Sequence, residues 1–312
     1  MRYLVTGATG FIGRRFIKDL RQPVALAREP RRAAALVGDD CRLHAWDALV
    51  GPPPAEVFTE IDAVVHLVGE PIDGGRWSLE RKALLHDVRV GGTRHLVDGL
   101  RTVASRPRVL VSCSAVGYYG DRGDEILTEE SSAGSDFMAD LCRDWEAEAA
   151  RAAEFGIRVV CLRLGVVLGR DGGALKKMLL PFELGLGGRL GSGKQWFPWV
   201  HFDDVLGLIH FCAREEAISG PVNAVAPVPA TNAEFTKALA AGLHRPAIMA
   251  VPAAALKLFI GEMADVLLSS QRVEPRQALD HGYQFTYRRL DAALRAALGS
   301  VSHSKTMAAL VP

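Results

Sequence analysis

The sequence lacks the features that mark several classes of protein. Its formal net charge is only +1, and its basic residues are scattered, so it has no electrostatic footprint for nucleic acid. No apolar run reaches the ~20 residues that cross a bilayer, which predicts that the protein has no membrane partner. Because a first strand is predicted to begin at Arg2, no cleavable leader fits before it, and we expect a cytoplasmic protein.

Cysteine is scarce, with five residues at wide spacings. Neither a Cys-x-x-Cys pair nor a cysteine–histidine cluster with zinc spacing occurs, so no metal site is predicted. Several of the cysteines lie in apolar runs, which favours reduced and buried thiols. Hydrophobic residues nevertheless make up 49% of the 312 residues, which is ample material for a folded core.

The sequence does contain an alternation of short apolar strands and helical segments. Helices are predicted at Phe11–Gln22, Ser78–Ala104 and Ala139–Phe155. Strands are predicted at Arg2–Thr6, Pro23–Arg28, Cys41–Trp46, Asp62–Val68, Pro107–Cys113 and Ile157–Leu164. Nearly continuous apolar strands that alternate with helices predict an α/β fold, a Rossmann doubly wound parallel sheet.

The pattern changes after Gly165. Residues 169–193 are rich in glycine and predict a long irregular connection near a ligand. Further helices are predicted at Asn232–Leu243 and Pro252–Leu268. We place a boundary near residue 225, so that 1–225 form a dinucleotide-binding domain and 226–312 a smaller C-terminal region on the substrate side.

The most informative segment is a glycine-rich turn between the first strand and the first helix. Gly7 permits a tight turn, Gly10 lets the backbone approach a pyrophosphate, and Gly13 lets the helix pack closely on the sheet. The helix N-terminus then offers free N–H groups and a positive dipole end to the phosphates. The predicted phosphate-binding residues are Gly7, Thr9, Gly10, Phe11, Ile12 and Gly13.

The end of the second strand favours NADP(H) over NAD(H). NAD sites place an Asp or Glu there to accept from the ribose 2′-hydroxyl, whereas this strand ends at Arg28. A cation suits a 2′-phosphate. Asp47, just past the third strand, either accepts from the adenine amino group or caps a turn.

Five motifs follow one another along the chain: TGATGFIG (6–13), HLVG (66–69), SCSAV (112–116), LR (162–163) and VHFDDV (200–205). Together they resemble extended short-chain dehydrogenases/reductases of the NAD-dependent epimerase/dehydratase branch. The segments GEPI (69–72), SAVGYYGDRGDE (114–125) and RDWE (143–146) resemble an atypical subgroup named for nucleoside-diphosphate-sugar epimerases. That subgroup carries a small C-terminal domain of unassigned function, resembled here by residues 251–298.

The resemblance implies a nicotinamide dinucleotide cofactor, with Leu67 and Gly69 on its binding side, and it implies a proton-transferring Tyr-x-x-x-Lys pair. The helix that should carry the pair reads FMADLC (137–142). The tyrosine is replaced by Phe137 or Met138 and the lysine by Leu141 or Cys142. The standard mechanism of hydride transfer therefore cannot be carried over unchanged.

Three responses to the missing pair remain open. Tyr118 or Tyr119, just after the fifth strand, exchanges the proton while Ser114 hydrogen-bonds the substrate oxygen. Arg89 or Arg143 supplies the missing positive charge. Alternatively, catalysis is lost and the protein only binds dinucleotide.

Two further residues are candidates for contact with substrate. Glu70 follows the fourth strand, where open α/β sheets bind ligands, and Arg76 suits an anionic group. We therefore predict an NADP(H)-dependent, epimerase/dehydratase-like oxidoreductase that acts on a small polar, possibly nucleotide-sugar-like substrate. A non-catalytic NADP(H)-binding redox sensor is the alternative, and homodimer formation is left open.

Overall fold

The structure, a computed structural model, describes residues 1–299. The strands are β1 (Tyr3–Thr6), β2 (Val24–Ala27), β3 (Arg42–Ala45), β4 (Ala63–His66), β5 (Val109–Ala115), β6 (Ile126–Leu127), β7 (Arg158–Leu164), β8 (Val166–Leu168), β9 (Gly188–Leu190), β10 (Trp196–Phe197), β11 (Trp199–His201), β12 (Gly220–Ala224), β13 (Ala230–Thr231), β14 (Met249–Val251) and β15 (Arg272–Val273). The α-helices are α1 (Phe11–Lys18), α2 (Pro30–Val37), α3 (Leu79–His86), α4 (Gly92–Thr102), α5 (Phe137–Ala150), α6 (Gly173–Glu183), α7 (Phe202–Arg214), α8 (Asn232–Leu243), α9 (Ala253–Ile260), α10 (Met263–Leu268), α11 (Arg276–Asp280) and α12 (Leu290–Gly299).

The centre of the fold is a parallel sheet of seven strands in the order β12-β7-β5-β4-β1-β2-β3. The chain leaves β1 toward β2 on one side, and the later strands β4, β5 and β7 add on the other side. The order therefore reverses between β1 and β4, and the crevice beyond that reversal is where open α/β sheets bind ligands. This confirms the predicted Rossmann architecture.

Both faces of the sheet are covered because successive residues of each strand point to opposite sides. Val5, Val65 and Val111 pack against α1 and α7 on one face. Leu4 and Leu110 pack against α4 and the end of α5 on the other. Strands buried on both faces need the nearly continuous apolar sequence that the chain provides.

The predicted strands 1 to 6 are all present, with ends shifted by up to two residues. The edge strand β12 was not predicted, and residues 169–193 contain the helix α6 rather than only irregular chain. The region Ser78–Ala104 was predicted as one helix. It consists instead of α3, a π-helical turn at Asp87–Gly91 and α4.

The C-terminal region packs on the Rossmann part through buried carboxylates. Asp204 in α7 accepts hydrogen bonds from the backbone of Thr286 at 2.7 Å and Tyr287 at 2.9 Å. Glu129 accepts from the backbone of Asn223 at 2.9 Å and of Gln277 at 3.2 Å. The boundary near residue 225 stays a prediction, and residues 300–312 of the predicted C-terminal region lie outside the described residues.

Residues 1–299 contain neither a membrane-spanning helix nor a cluster of metal-ligating side chains. None of the helices in this range has the length and apolar character that crossing a membrane requires. Over the same range, histidine, cysteine and acidic side chains form no cluster that could hold a metal ion.

Candidate functional site

The glycine-rich turn has the geometry that its three glycines require. Gly7 adopts a left-handed φ of 67°, and a Cβ there would lie 2.5 Å from the carbonyl oxygen of Leu67. A Cβ on Gly13 would overlap the backbone of Gly7 and lie 2.8 Å from the Cα of Ala8. Gly10 is exposed and caps the N-terminus of α1 with no side-chain hydrogen bond. The first N–H groups of α1 therefore face outward without competition from a side chain.

A cavity of about 420 Å³ opens at the reversal point of the sheet. The turn after β1, the loop after β4 and the end of β5 form its walls. Predicted site residues that line it are Gly7, Gly10, Phe11, Ile12, Gly13, Leu67, Gly69, Glu70 and Ser114. The fold thus brings the phosphate-binding turn and the predicted substrate hydroxyl into one space.

The cavity fits a nicotinamide dinucleotide on the turn side. An uncapped helix N-terminus, with no acidic residue in its first turn, is suited to a diphosphate. The backbone at Gly10 is exposed, so no side chain separates it from a ligand. Gly7, Gly10 and the first turn of α1 are the groups that would hold the diphosphate.

Ser114 belongs to a polar network at the end of β5. Its Oγ donates to Oε1 of Glu146 on α5 at 2.6 Å. Arg163 on β7 holds the same carboxylate by two hydrogen bonds of 2.8 Å, one to each oxygen. Burial alone would lower the pKa of Arg163, but the hydrogen bonds and charge of Glu146 raise it above its usual value. The pair is therefore a fixed ion pair that orients Ser114.

The two predicted phenols are not in the cavity. Tyr119 is fully buried, donates to Oδ1 of Asn223 at 2.7 Å and accepts from Arg163 at 2.9 Å. Burial raises its pKa to about 12, the wrong direction for an acid–base group. The structure therefore does not support Tyr119 as the group that exchanges a proton with substrate. Tyr118 is half-buried under the guanidinium of Arg163, 3.5 Å from its ring centre, and does not line the cavity either.

The missing positive charge has one candidate in the cavity. Arg89 is buried and lines it, beside Leu141 and Cys142, the positions where the lysine was expected. Arg143 is exposed and pairs with Asp140 at 2.7 Å. The structure therefore favours Arg89 over Arg143.

Of the two residues predicted to contact substrate, one lies in the cavity and the other lies outside it. Glu70 lines the cavity, but its carboxylate is bonded to Arg81 at 2.9 Å. Arg76 is exposed, does not line the cavity and donates to the carbonyl of Leu258. Arg76 thus connects the loop after β4 to helix α9 by a hydrogen bond. The structure does not support the prediction that it binds an anionic group of the substrate.

Three predicted cofactor residues lie outside the cavity walls. Arg28 and Thr9 are exposed. Asp47 is half-buried, and its carboxylate accepts from the backbone of Leu49 at 3.0 Å, which is the turn-capping alternative. Contact of Arg28, Thr9 and Asp47 with a dinucleotide stays a prediction.

Glu146 and Arg163 were missed as site residues. Both residues lie in motifs noted in the sequence, RDWE and LR. No local pattern indicates, however, that these two residues, 17 positions apart, form an ion pair next to Ser114. Cys113 and Cys142 also line the cavity. Burial raises the pKa of both thiols to about 12, so neither is a ready nucleophile.

Known proteins resemble this chain over most of its length. Residues 3–224 match the NAD dependent epimerase/dehydratase family. The chain belongs to this family. Residues 251–297 match a domain of unknown function (DUF1731), which confirms the resemblance to a subgroup with such a C-terminal domain.

Individual relatives cover nearly the whole chain. The SDR39U1 homolog of Arabidopsis thaliana, an epimerase family protein described as chloroplastic, is 39% identical over 95% of this chain and 86% of its own. The crystal structure of human epimerase family protein SDR39U1 (isoform 2) with NADPH has a TM-score of 0.86 and 36% identity, covering 96% of this chain and all of that one. A nucleoside-diphosphate sugar epimerase from Corynebacterium glutamicum has a TM-score of 0.77 and 34% identity, covering 96% of this chain and 58% of that one.

Proposed function

We propose that this family member binds NADP(H) at the Gly7–Gly13 turn and acts as an oxidoreductase or epimerase on a small polar substrate. The observation that carries the proposal is that the turn and the hydroxyl of Ser114 line one cavity. The NADPH in the related human structure supports the cofactor. The name of the Corynebacterium relative supports a substrate that resembles a nucleotide sugar.

When bound, the cofactor would supply the hydride donor or acceptor. The chain's own part is to orient the substrate oxygen and move its proton. Ser114 is the hydroxyl on the cavity wall, among the lining residues that the structure describes. Its proton points to Glu146 Oε1 at 2.6 Å. A proton leaving a substrate hydroxyl can pass to Ser114 Oγ while the serine proton passes to Glu146, and the reverse transfer serves reduction.

Arg28 should determine the choice between the two cofactors. Arg28→Met should weaken NADPH binding about tenfold and leave NADH binding unchanged, because an exposed charge-assisted contact to the 2′-phosphate is lost. Titration by protein fluorescence at low salt measures both constants. Arg101→Met, in the last turn of α4, is the matched control and should change neither. Equal affinities of the wild type for NADPH and NADH would contradict the role of Arg28.

A non-catalytic NADP(H)-binding sensor is the second candidate. It is favoured by the apolar residues Met138 and Leu141 in the places of the missing pair, and by the absence of Tyr118 and Tyr119 from the lining residues. NADPH consumption with a panel of carbonyl compounds and nucleotide sugars separates the candidates. Cofactor-dependent turnover of any member supports the enzyme, whereas tight NADPH binding with no turnover across the panel supports the sensor.

A further inference from the structure

Arg89 is a buried cation without a carboxylate of its own. It is 9% exposed and lies in the π-helical turn between α3 and α4. Its guanidinium donates to two carbonyl oxygens, of Glu70 at 2.7 Å and of Leu85 at 3.3 Å. The carboxylate of Glu70 is bonded to Arg81 instead, at 2.9 Å. No ion pair of Arg89 occurs among the salt bridges of residues 1–299.

Such a charge is costly unless something compensates it. Burial lowers the pKa of Arg89, but an arginine stays protonated in proteins. Arg163 is similarly buried, but it has a carboxylate partner. Its guanidinium donates one hydrogen bond to each carboxylate oxygen of Glu146. Arg89 also lies over the ring of Trp145, with its Cζ 5.4 Å from the ring centre. Two carbonyl dipoles and an aromatic face stabilise a buried cation less than a carboxylate does, so an anion from a ligand would complete its environment.

The charge faces the cavity rather than the core. Arg89 lines it together with Gly7, Gly10 and Ser114. A Cβ at Gly69 would lie 3.5 Å from Nη2 and 3.8 Å from Cζ of Arg89, in contact with the guanidinium. The absence of a side chain at Gly69 therefore keeps the space beside the guanidinium free on that side. Single π-helical turns inside α-helices are frequent at functional sites.

We infer that Arg89 binds an anionic group, a phosphate or a carboxylate, of the ligand that occupies this cavity. The anion has two possible sources, the diphosphate of the cofactor and an acidic group of the substrate. The inference rests on the proposed function, because both sources are ligands of the proposed NADP(H) site. It adds a charge requirement that neither the glycine turn nor Ser114 imposes.

Calorimetric titration of the full chain tests this with the wild type, Arg89→Met and Arg89→Lys. Arg143→Met is the matched control, since Arg143 is an exposed arginine outside the cavity. The ligands are NADPH and adenosine 2′,5′-bisphosphate, which keeps the adenosine-side 5′-phosphate but lacks the second phosphate and the nicotinamide half. Inorganic phosphate and malonate are then titrated in the presence and absence of NADP⁺.

Arg89→Met should weaken at least one of these ligands about tenfold or more, Arg89→Lys should weaken it less, and Arg143→Met should leave it unchanged. A loss for NADPH, whether or not adenosine 2′,5′-bisphosphate also weakens, identifies the cofactor diphosphate as the source, and the bisphosphate shows whether its adenosine-side phosphate is the one contacted. Unchanged NADPH binding with lost phosphate or malonate binding identifies the substrate.

The inference is overturned if Arg89→Met keeps wild-type affinity for every ligand that the wild type binds. It is also overturned if the wild type binds none of the four. Binding of phosphate or malonate to the wild type without binding of NADPH contradicts the proposed function alone, and the variant then still decides the role of Arg89.

Thermal denaturation separates a ligand-binding role from a structural one. If Arg89 serves a ligand, removing an unpaired buried cation should leave the melting temperature of Arg89→Met unchanged or raise it. A large fall in melting temperature, together with unchanged affinities in Arg89→Lys, would assign Arg89 to the fold and contradict the inference.

Discussion

Replacement of Gly10 by valine should abolish NADPH binding while the protein stays folded. Gly10 is exposed, its φ of −72° suits any residue, and a Cβ there would meet only Gly7 O, at 3.1 Å. The branched side chain would stand where the phosphates approach the N-terminus of α1. We expect an affinity loss of about 10²-fold or more, which is about 2.7 kcal/mol, with little change in melting temperature.

Gly13→Ala is the contrasting variant. The added methyl would overlap the backbone of Gly7 and lie 2.8 Å from the Cα of Ala8, so helix α1 must move off the sheet. We expect a loss of about 1–3 kcal/mol in the free energy of unfolding, measured by urea denaturation without ligand. If folded Gly10→Val bound NADPH as tightly as the wild type, the phosphates would lie elsewhere on the molecule.

Ser114→Ala should lower turnover by about 10² or more and leave NADPH affinity nearly unchanged. The variant removes the hydroxyl that connects the cavity to Glu146, while Arg163 still pairs with the carboxylate. The fold should therefore persist. Steady-state kinetics with a substrate found in the carbonyl and nucleotide-sugar panel measures turnover, and fluorescence titration measures the cofactor affinity.

Tyr119→Phe is the matched control, because it also removes a hydroxyl that is bonded to the Arg163 network. Tyr119 is buried away from the cavity walls, so turnover should remain near that of the wild type. The loss of its hydrogen bonds to Asn223 and Arg163 should instead cost about 1–3 kcal/mol of stability. Full turnover in Ser114→Ala with strongly reduced turnover in Tyr119→Phe would restore the phenol hypothesis.

The sequence was sufficient for most of the sheet, including the edge strand β3, but not for the opposite edge strand β12. Strands such as β4 and β5 are short apolar runs, and burial on both faces demands such runs. Strand β12 reads Gly-Pro-Val-Asn-Ala, and a proline is tolerated in it because β12 lies at the edge of the sheet. A residue pattern that depends on an edge position cannot be recognised before the strand order is known.

The helices show the same dependence on tertiary context. Apolar spacing through Ser78–Ala104 suggested one helix, but a π-helical turn interrupts it at Asp87–Gly91. The glycines around α6 suggested irregular chain, although Leu175, Leu179 and Phe182 give the helix a buried side. The spacing of apolar residues indicates which side of a helix is buried. Packing against the rest of the fold determines where the helix begins, bends or ends.

The parts of the candidate site that lie at strand ends could be predicted from the sequence. The parts that depend on contacts between distant elements could not. The glycine turn and Ser114 are contiguous with strand ends, so their meeting in one cavity follows from parallel strands. The ion pair of Glu146 with Arg163 joins a helix to a different strand, and no spacing rule connects the two. Tyr119 looked suitable from its position, but its burial depends on contacts with Asn223 from the distant strand β12.

Amide hydrogen exchange with and without NADPH tests the central claim most directly, because it locates the nucleotide without any substrate. We expect protection to rise at residues 7–13, 67–70 and 113–115, the segments that contribute to the walls of the cavity at the reversal of the sheet. Protection confined to another surface, such as the groove between Arg189 and Arg245, or no change at saturating NADPH, would contradict it.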